Sequence, residues 1–131
     1  MKNLFKPGDK KKFSKVVKES DTAAFESGEV HPVYSTFAIC RDAEWAGRLF
    51  VLEMKEVDEE GIGTFLHIDH RAPAMVGSKV EFTATLKNIT ANSVVCSFEA
   101  KVRDKIIASG ETGQKILKKE KLKSLFVDLK S

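Results

Sequence analysis

Three side chains of this 131-residue chain, Thr36, Glu44 and His70, are of types suited to acyl transfer. A hydroxyl can attack an acyl carbon or hold a water molecule, and an imidazole can carry the proton. A carboxylate can orient the imidazole or act as the base. Thr36 lies at the predicted start of a helix, where free N–H groups and the helix dipole favour developing negative charge. Spacing alone leaves open whether the three side chains meet.

A helix is predicted from about residue 36 to 57, because apolar residues recur there at helical spacing. The stripe consists of Ala43, Ala46, Gly47, Phe50, Met54 and Val57. Its first half is made of small residues, which let a helix lie close to a sheet or to a ligand. Glu44 borders this stripe, so its carboxylate is expected at the mouth of a groove or half-buried with a partner. Asp42 and Glu53 are predicted to be solvated charges.

Four strands follow the helix, because the hydrophobic period changes from helical to alternating. They are predicted at residues 61–72, 79–89, 93–102 and 105–117. In the first of these strands His70 is in phase with apolar residues that face the helix, whereas His67 points the other way; those apolar residues are Ile62, Leu66 and Ile68.

The remaining segments are less regular. Residues 1–11 are predicted to be a loose basic arm and residues 12–19 a first strand. Breakers such as Gly28 and Pro32 favour a loop over 20–35, with a short turn of helix in "TAAFESG". The tail, 118–131, has the spacing of a short amphipathic helix. We expect a single domain spanning the chain.

Composition excludes several classes of protein. Apolar residues make up 42% and charged residues 31%, as in a globular domain, and the net charge of +3 favours no partner. We expect no membrane span and no signal peptide, because no apolar run is long enough, and hence a cytoplasmic location. Cys40 and Cys96 are expected to be free thiols. No motif with metal-ligand spacing is present, so no metal site is expected.

Each candidate residue also has an ordinary structural interpretation. Thr36 can be the N-cap of the helix, and His70 can be a core histidine with its hydrogen bonds satisfied. Glu44 can pair with Arg41 or Arg48, which lie one turn away on either side. Joint occurrence favours the acyl-transfer interpretation.

One long helix followed by alternating strands predicts an α+β fold with an antiparallel sheet that has one wet face. A curved sheet of about five strands wrapped around a central helix resembles the hotdog fold. Two segments, "VYSTFAICRDAEWA" (33–46) and "GIGTFLHIDHRAPAMVGSKVEFTATL" (61–86), also resemble the fluoroacetyl-CoA thioesterase-like branch of that superfamily. The resemblance extends over about residues 12–117.

The resemblance implies site residues and roles. Thr36 corresponds to the family's nucleophile or water-positioning hydroxyl, His70 to its general base, and Glu44 to the supporting carboxylate. Gly63 corresponds to a glycine that lets the acyl group approach the strand. Ser35 belongs to the same helix start; Ala72 and Gly77 complete the turn motif after His70. The implied substrate is an acyl-CoA, with coenzyme A as part of the substrate and no other cofactor.

Two positions depart from the family pattern. The segment before the helix has Val30 where the fluoroacetate enzyme carries an aromatic residue, and Gln114 replaces an arginine late in the last strand. Both differences argue against fluoroacetyl specificity, so the expected function is hydrolysis of an acyl-CoA whose acyl group is not specified. Proteins of this fold usually dimerise, so a homodimer is the minimal expectation, and higher homo-oligomers are allowed.

Three other functions remain open. A non-catalytic acyl-CoA binder or sensor can share the fold. A nucleic-acid module is suggested by the basic runs "KPGDKKK" and "KILKKEKLK", but these lysines lack interleaved aromatic residues, so we expect no nucleic-acid partner. Acyl-CoA hydration also occurs on this fold, although the hydratase motif with its histidine is absent here.

Overall fold

A computed structural model describes residues 1–25 and 28–130. In chain order its elements are β1 (Lys10–Val16), a 3-10 turn (Glu19–Asp21), β2 (Thr22–Phe25), β3 (Gly28–Tyr34), α1 (Thr36–Met54), β4 (Glu59–His70), β5 (Lys79–Thr90), β6 (Ser93–Val102), β7 (Lys105–Lys118) and α2 (Lys119–Asp128).

Five strands form an antiparallel sheet in the order β1-β5-β6-β7-β4, and β2 and β3 form a separate hairpin. Helix α1 packs against β1, β4, β5, β6 and β7, so the sheet wraps around it. This arrangement is the hotdog fold, and the predicted fold class is confirmed. β4 and β1 are the two edges of the five-stranded sheet, and β4 follows directly from the helix.

Helix α1 begins at Thr36, directly after a capping serine. Ser35 is the N-cap, and its hydroxyl accepts a hydrogen bond from the Ala38 N–H at 3.0 Å. The helix ends at Met54, and Val57, which the periodicity assigned to the buried stripe, is 90% exposed. That part of the prediction is wrong because the chain leaves the helix one turn earlier.

Small residues bring α1 close to the sheet. Gly47 is buried against β7, and a Cβ atom there would lie 2.5 Å from the Thr112 hydroxyl oxygen. Larger side chains on the same face fill the core with the inward residues of β5 and β6; the buried set includes Ile39, Phe50, Met54, Val80, Phe82, Ala84, Leu86, Val94, Cys96, Phe98 and Ala100. One face of β5 and one face of β6 therefore line the core.

The inward face of β4 follows the prediction only in its second half. Leu66 and Ile68 pack against the core, and His70 is half-buried in phase with them. A register shift between Gly63 and Phe65 interrupts the alternation, which leaves Thr64 exposed. The bulge therefore separates a Gly63 end of the strand from a His70 end.

The segment before α1 differs from the predicted loop. β2 and β3 form a hairpin, so the turn of helix expected in "TAAFESG" is wrong for residues 22–25; residues 26 and 27 lie outside the described part. The first residues are also packed rather than loose. The ring of Phe5 lies edge-on to that of Phe50, with 5.1 Å between the ring centroids, and the Lys2 N–H donates to the Met54 carbonyl at 2.6 Å.

The tail forms helix α2, as its spacing suggested. Only Leu122 of that helix is buried, whereas four apolar residues of the tail are exposed; these are Leu125, Phe126, Val127 and Leu129. Among the described residues, no helix is both long and apolar enough to cross a membrane.

A buried charge cluster holds the start of α1. Asp42, predicted to be solvated, is 7% exposed, and it accepts a short hydrogen bond from the Tyr34 hydroxyl. Lys15 and Arg41 both form ion pairs with Asp42 and with Asp21. The Asp21 carbonyl also accepts from the Ser35 N–H at 2.9 Å. The solvation prediction for Asp42 is wrong because its partners come from other elements.

Acidification is expected to remove a stabilising contribution of Asp21. Burial alone raises the pKa of this carboxyl, but hydrogen bonds from Arg41, the Lys18 N–H and Lys15 outweigh it and lower the pKa from 3.8 to about 2. Because the pKa of Asp21 is lower in the folded than in the unfolded protein, the ionised carboxylate contributes its full stabilisation at pH values above the pKa of the unfolded state. It falls off between about pH 4 and about pH 2, in total by on the order of 2 kcal/mol.

Urea unfolding at pH 7 and pH 3 tests this contribution. The free energy of unfolding should fall by about 1 kcal/mol more in the wild type than in Asp21→Asn, because only the wild type takes up this proton. Equal losses in the two proteins would contradict the assignment.

Candidate active site

Thr36 and His70 form a hydrogen-bonded pair. The Thr36 hydroxyl oxygen lies 2.9 Å from Nδ1 of His70, although 34 residues separate them in sequence. Thr36 is the first residue of α1 and His70 the last residue of β4, so the pair joins a helix start to a strand end. Thr36 is exposed and His70 half-buried, so the pair is accessible from solvent.

The hydrogen bond of His70 Nε2 determines whether Nδ1 donates or accepts. Nε2 lies 3.0 Å from the carbonyl oxygen of Ala72, and a carbonyl can only accept a hydrogen bond. The neutral imidazole therefore carries its proton on Nε2, which leaves Nδ1 as an acceptor for the Thr36 hydroxyl proton. This is the arrangement in which an imidazole can withdraw a proton from a nucleophilic hydroxyl.

The ordinary interpretation of Thr36 as an N-cap does not hold, because Ser35 is the N-cap. Thr36 is instead the first residue of the helix, so its own N–H and that of Phe37 have no acceptor within the helix. These two donors lie next to the Thr36 hydroxyl, where they can stabilise a developing oxyanion.

Glu44 occupies a separate part of the same helix. It lies eight residues after Thr36, about 12 Å further along the helix axis. Its exposed carboxylate lies against Gly63, at the other end of β4 from His70: a Cβ atom at Gly63 would overlap Glu44 Oε1. The chain thus brings Thr36 and His70 together but leaves Glu44 apart from them.

Neither arginine that could have paired with Glu44 does so. Arg41 pairs with Asp21 and Asp42, and Arg48 pairs with Glu60. Among the described residues the Glu44 carboxylate has no hydrogen-bond or ion-pair partner.

The four residues assigned to substrate contact have distinct places. Ser35 uses its hydroxyl for capping, and Ala72 is buried and holds His70 through its carbonyl. Gly77 has a φ of +92° and donates its N–H to Val17, as a turn glycine does. At Gly63 it is the Glu44 carboxylate that approaches the strand.

Two buried polar residues of β7 lie beneath the helix, of which sequence reasoning missed Thr112 and noted Gln114 only as a departure from the family pattern. Thr112 and Gln114 are each 3% exposed, and the Gln114 side-chain amide donates to the Glu44 carbonyl at 3.4 Å. Gln114 pairs in register with Gly63, so it lies beside the Glu44 region. The signal was a polar pair in phase with the inward face of β7. The side chain of Val30, the other departure from the family pattern, lies outside the described part.

Neither cysteine is an activated nucleophile. Both cysteines are free, and burial raises the pKa of the Cys40 thiol and raises that of Cys96 to about 12. A thiol with a raised pKa is a poor nucleophile near neutral pH. No group of three or more potential metal ligands occurs within residues 1–25 and 28–130.

Solved structures share this fold, and two of the three described next are named as thioesterases or members of the thioesterase superfamily. A hypothetical protein of Thermus thermophilus, described as a thioesterase superfamily member, is 36% identical, with a TM-score of 0.93 over 98% of this chain and 95% of that one. The fluoroacetyl-CoA thioesterase FlK is 20% identical, with a TM-score of 0.88 over 96% and 98%. A hot-dog-like protein of Thermanaerovibrio acidaminovorans is 22% identical, with a TM-score of 0.86 over 95% and 92%.

The fold and these similarities define a hotdog-fold member of the thioesterase superfamily. The chain belongs to the FlK family, described as fluoroacetyl-CoA-specific thioesterase, whose profile matches residues 17–120. The family resemblance inferred from the sequence is thereby confirmed. Among curated protein sequences, none matches the chain.

Two glycine-to-alanine substitutions compare the cost of a new methyl group that meets a flexible side chain with the cost of one that meets a fixed backbone atom. In Gly63→Ala the new methyl group meets the flexible end of Glu44, which can swing into solvent, so stability should change by less than about 1 kcal/mol. In Gly110→Ala it meets the His67 carbonyl, which is fixed in the sheet, so stability should fall by about 2 kcal/mol or more.

Thermal or urea unfolding of both variants measures these costs, and a crystal structure of Gly63→Ala should show Glu44 displaced. A large loss of stability in Gly63→Ala would show that Glu44 is held firmly against β4.

Proposed function

We propose that the protein is a thioesterase that hydrolyses an acyl-CoA to the free acid and CoA. The observation that carries the proposal is the Thr36–His70 pair, in which the Ala72 carbonyl leaves His70 Nδ1 ready to accept the hydroxyl proton. Family membership and the thioesterase relatives support the same reaction class. A solved structure of FlK contains fluoroacetate and CoA, which supports an acyl-CoA as the substrate class.

In the proposed reaction, Thr36 Oγ1 attacks the thioester carbonyl carbon while His70 Nδ1 takes the hydroxyl proton. The N–H groups of Thr36 and Phe37 stabilise the oxyanion. When the carbon–sulfur bond breaks, His70 returns the proton to the CoA sulfur. Water then attacks the acyl-Thr36 ester, with a carboxylate or His70 as the base, which releases the acid and restores Thr36.

Glu44 is the proposed supporting carboxylate, but it has to reach the pair from elsewhere. β4 is a 12-residue edge strand, and an edge strand of this length invites pairing with another chain. Large apolar side chains are exposed on the strand and on α1: Phe65 of β4 is 39% exposed, and Trp45, the residue after Glu44, is 45% exposed. We therefore propose a homodimer joined along β4.

Antiparallel pairing of two β4 strands reverses their ends. A two-fold axis near the middle of the strand brings the Gly63 end of one copy next to the His70 end of the other. Because Glu44 lies against Gly63, its carboxylate then approaches the Thr36–His70 pair of the second copy. In the proposed enzyme each site uses Thr36 and His70 from one copy and Glu44 from the other.

Substitution of the three residues should abolish most hydrolysis. In Thr36→Ala, His70→Gln and Glu44→Gln, we expect release of CoA from acetyl-CoA to fall by about 10²-fold or more, because each removes the nucleophile or an acid–base group. Matched controls are His67→Gln, on the opposite face of β4, and Glu53→Gln, an exposed glutamate on the same helix; both should retain wild-type rates. Fluoroacetyl-CoA and longer acyl-CoAs assayed in parallel define the acyl preference.

Unchanged release in both Thr36→Ala and His70→Gln would contradict the catalytic role of the pair. Binding of acyl-CoA without release, in wild type and variants alike, would identify a non-catalytic acyl-CoA binder instead.

Mixing two inactive variants tests the shared site. A heterodimer of Glu44→Gln with His70→Gln has one site with both groups intact if the site is shared, so an equal mixture reassembled from monomers should recover about a quarter of wild-type activity. If all three residues act within one copy, the mixture remains inactive.

Light scattering checks the assembly itself. Phe65→Lys should shift the molar mass from dimer to monomer, because it places a charge on the edge strand. Leu125→Lys, on exposed α2, is the matched control and should remain a dimer. A monomeric wild type would contradict the proposed β4 interface.

A further inference from the structure

A large groove lies at the His70 end of the sheet, between the 73–79 segment and the β6–β7 turn. Its volume is about 1090 Å³, which is of the size of a small-molecule site. Met75 is 56% and Val76 41% exposed along its floor, and Ile107 is buried beneath. An exposed apolar patch on a small domain often marks a ligand-binding groove or another interaction surface.

The rim of this groove is cationic. Lys79, Arg103 and Lys105 line it, together with one carboxylate, Asp104. All four are exposed, and none of the three cations forms an ion pair or hydrogen bond through its side chain within the described residues.

Three lysines of β1 are used differently. Along β1, Lys11 pairs with Glu53, Lys12 with Glu81, and Lys15 with the buried aspartates. A cation without a carboxylate partner is available to an anionic ligand, so the groove rim, where three such cations lie together, differs from the paired lysines of β1.

The backbone at Arg103 adds a second observation. Arg103 has a φ of +56°, in the left-handed region that glycine and asparagine occupy at lower cost. Turn formation alone therefore does not favour an arginine here. The residue contributes a cationic side chain at the turn that lines the groove.

The groove connects to the Thr36–His70 pair. A smaller cavity of about 220 Å³ is lined by His70, Arg71, Ala72 and Pro73, and Pro73 also lines the groove. His70 pairs with Ala108 on β7, and Lys105 lies three residues, or about 10 Å, further along that strand. A pantetheine arm has a chain of about twelve bonds between sulfur and phosphate, comparable to four extended residues or ~14 Å.

We infer that this groove binds the 3′-phosphorylated ADP portion of coenzyme A. The adenine ring lies on the Met75 and Val76 surface, the phosphates lie among Lys79, Arg103 and Lys105, and the pantetheine arm passes Pro73 to place the thioester at Thr36 and His70. The inference rests on the proposed acyl-CoA substrate for its occupant. It assigns three phosphate-binding residues and an apolar adenine surface.

The test compares two variants that each lose three positive charges. In the first, Lys79, Arg103 and Lys105 are changed to alanine; in the matched control, Lys119, Lys121 and Lys123 on α2 are changed to alanine. Binding of CoA and of adenosine 3′,5′-bisphosphate is measured by calorimetry. Hydrolysis is measured with acetyl-CoA and with acetyl-pantetheine, which lacks the nucleotide.

The groove variant should bind both nucleotides at least tenfold more weakly and show a raised KM for acetyl-CoA with kcat unchanged. Its rates with acetyl-pantetheine should match the wild type, and the α2 control should resemble the wild type throughout. Equal weakening in both triple variants, or unchanged nucleotide binding in the groove variant, would overturn the inference.

The outcomes also separate the groove from the proposed function. If no thioester is hydrolysed but nucleotide binding is lost in the groove variant, the groove assignment stands and the thioesterase proposal falls. If acetyl-CoA is hydrolysed equally well by the groove variant, the thioesterase proposal stands and the groove assignment falls.

Discussion

The close approach of α1 to the sheet is the constraint on which the rest of the structure depends. At Gly47 the helix lies so near β7 that a single added carbon would contact the Thr112 hydroxyl at 2.5 Å. That depth allows the buried Gln114 amide to reach the Glu44 carbonyl, so a polar group under the helix keeps a partner. The same close packing sets the distance between the first turn of α1 and β4. The 2.9 Å hydrogen bond between Thr36 and His70 tolerates little change in that distance.

The charges of the helix divide into two groups with different physical roles. Asp42 and Asp21 are buried and pair with Lys15 and the half-exposed Arg41, so that two negative groups balance two positive ones. Burying such groups costs desolvation energy, which good pairing offsets, and we interpret the cluster as fixing one orientation of the helix start rather than adding much stability. Glu44, two residues further on, stays exposed and without a partner in the described chain, so its charge remains available for another molecule.

The sequence predicted those features that follow from burial of one face of an element. Helix α1 and the strands from β4 to β7 each have such a face, and the phase of β4 placed His70 toward the helix. Features that depend on partners far along the chain escaped prediction. Asp42 looked solvated because Lys15, Asp21 and Tyr34 lie on other elements. The β2–β3 hairpin was missed because β2 is only four residues long and its pairing is irregular, so neither strand shows a clear alternation.

The position of Glu44 shows what the hydrophobic pattern of a sequence leaves undetermined. Hydrophobic phase reports which face a side chain occupies but not how far along an element it lies from its partners. Eight helical residues separate Glu44 from Thr36 by about 12 Å, a distance no side chain rearrangement within the chain closes. In the proposed dimer, two β4 strands pair antiparallel, and the two-fold axis places the Gly63 end of one copy beside the His70 end of the other. The separation of Glu44 from Thr36 along the helix then places Glu44 beside the His70 end of the second copy. The glycine at position 63 then has a physical reason: only a residue without a side chain leaves the Glu44 carboxylate room to lie at the edge that the second copy would cover.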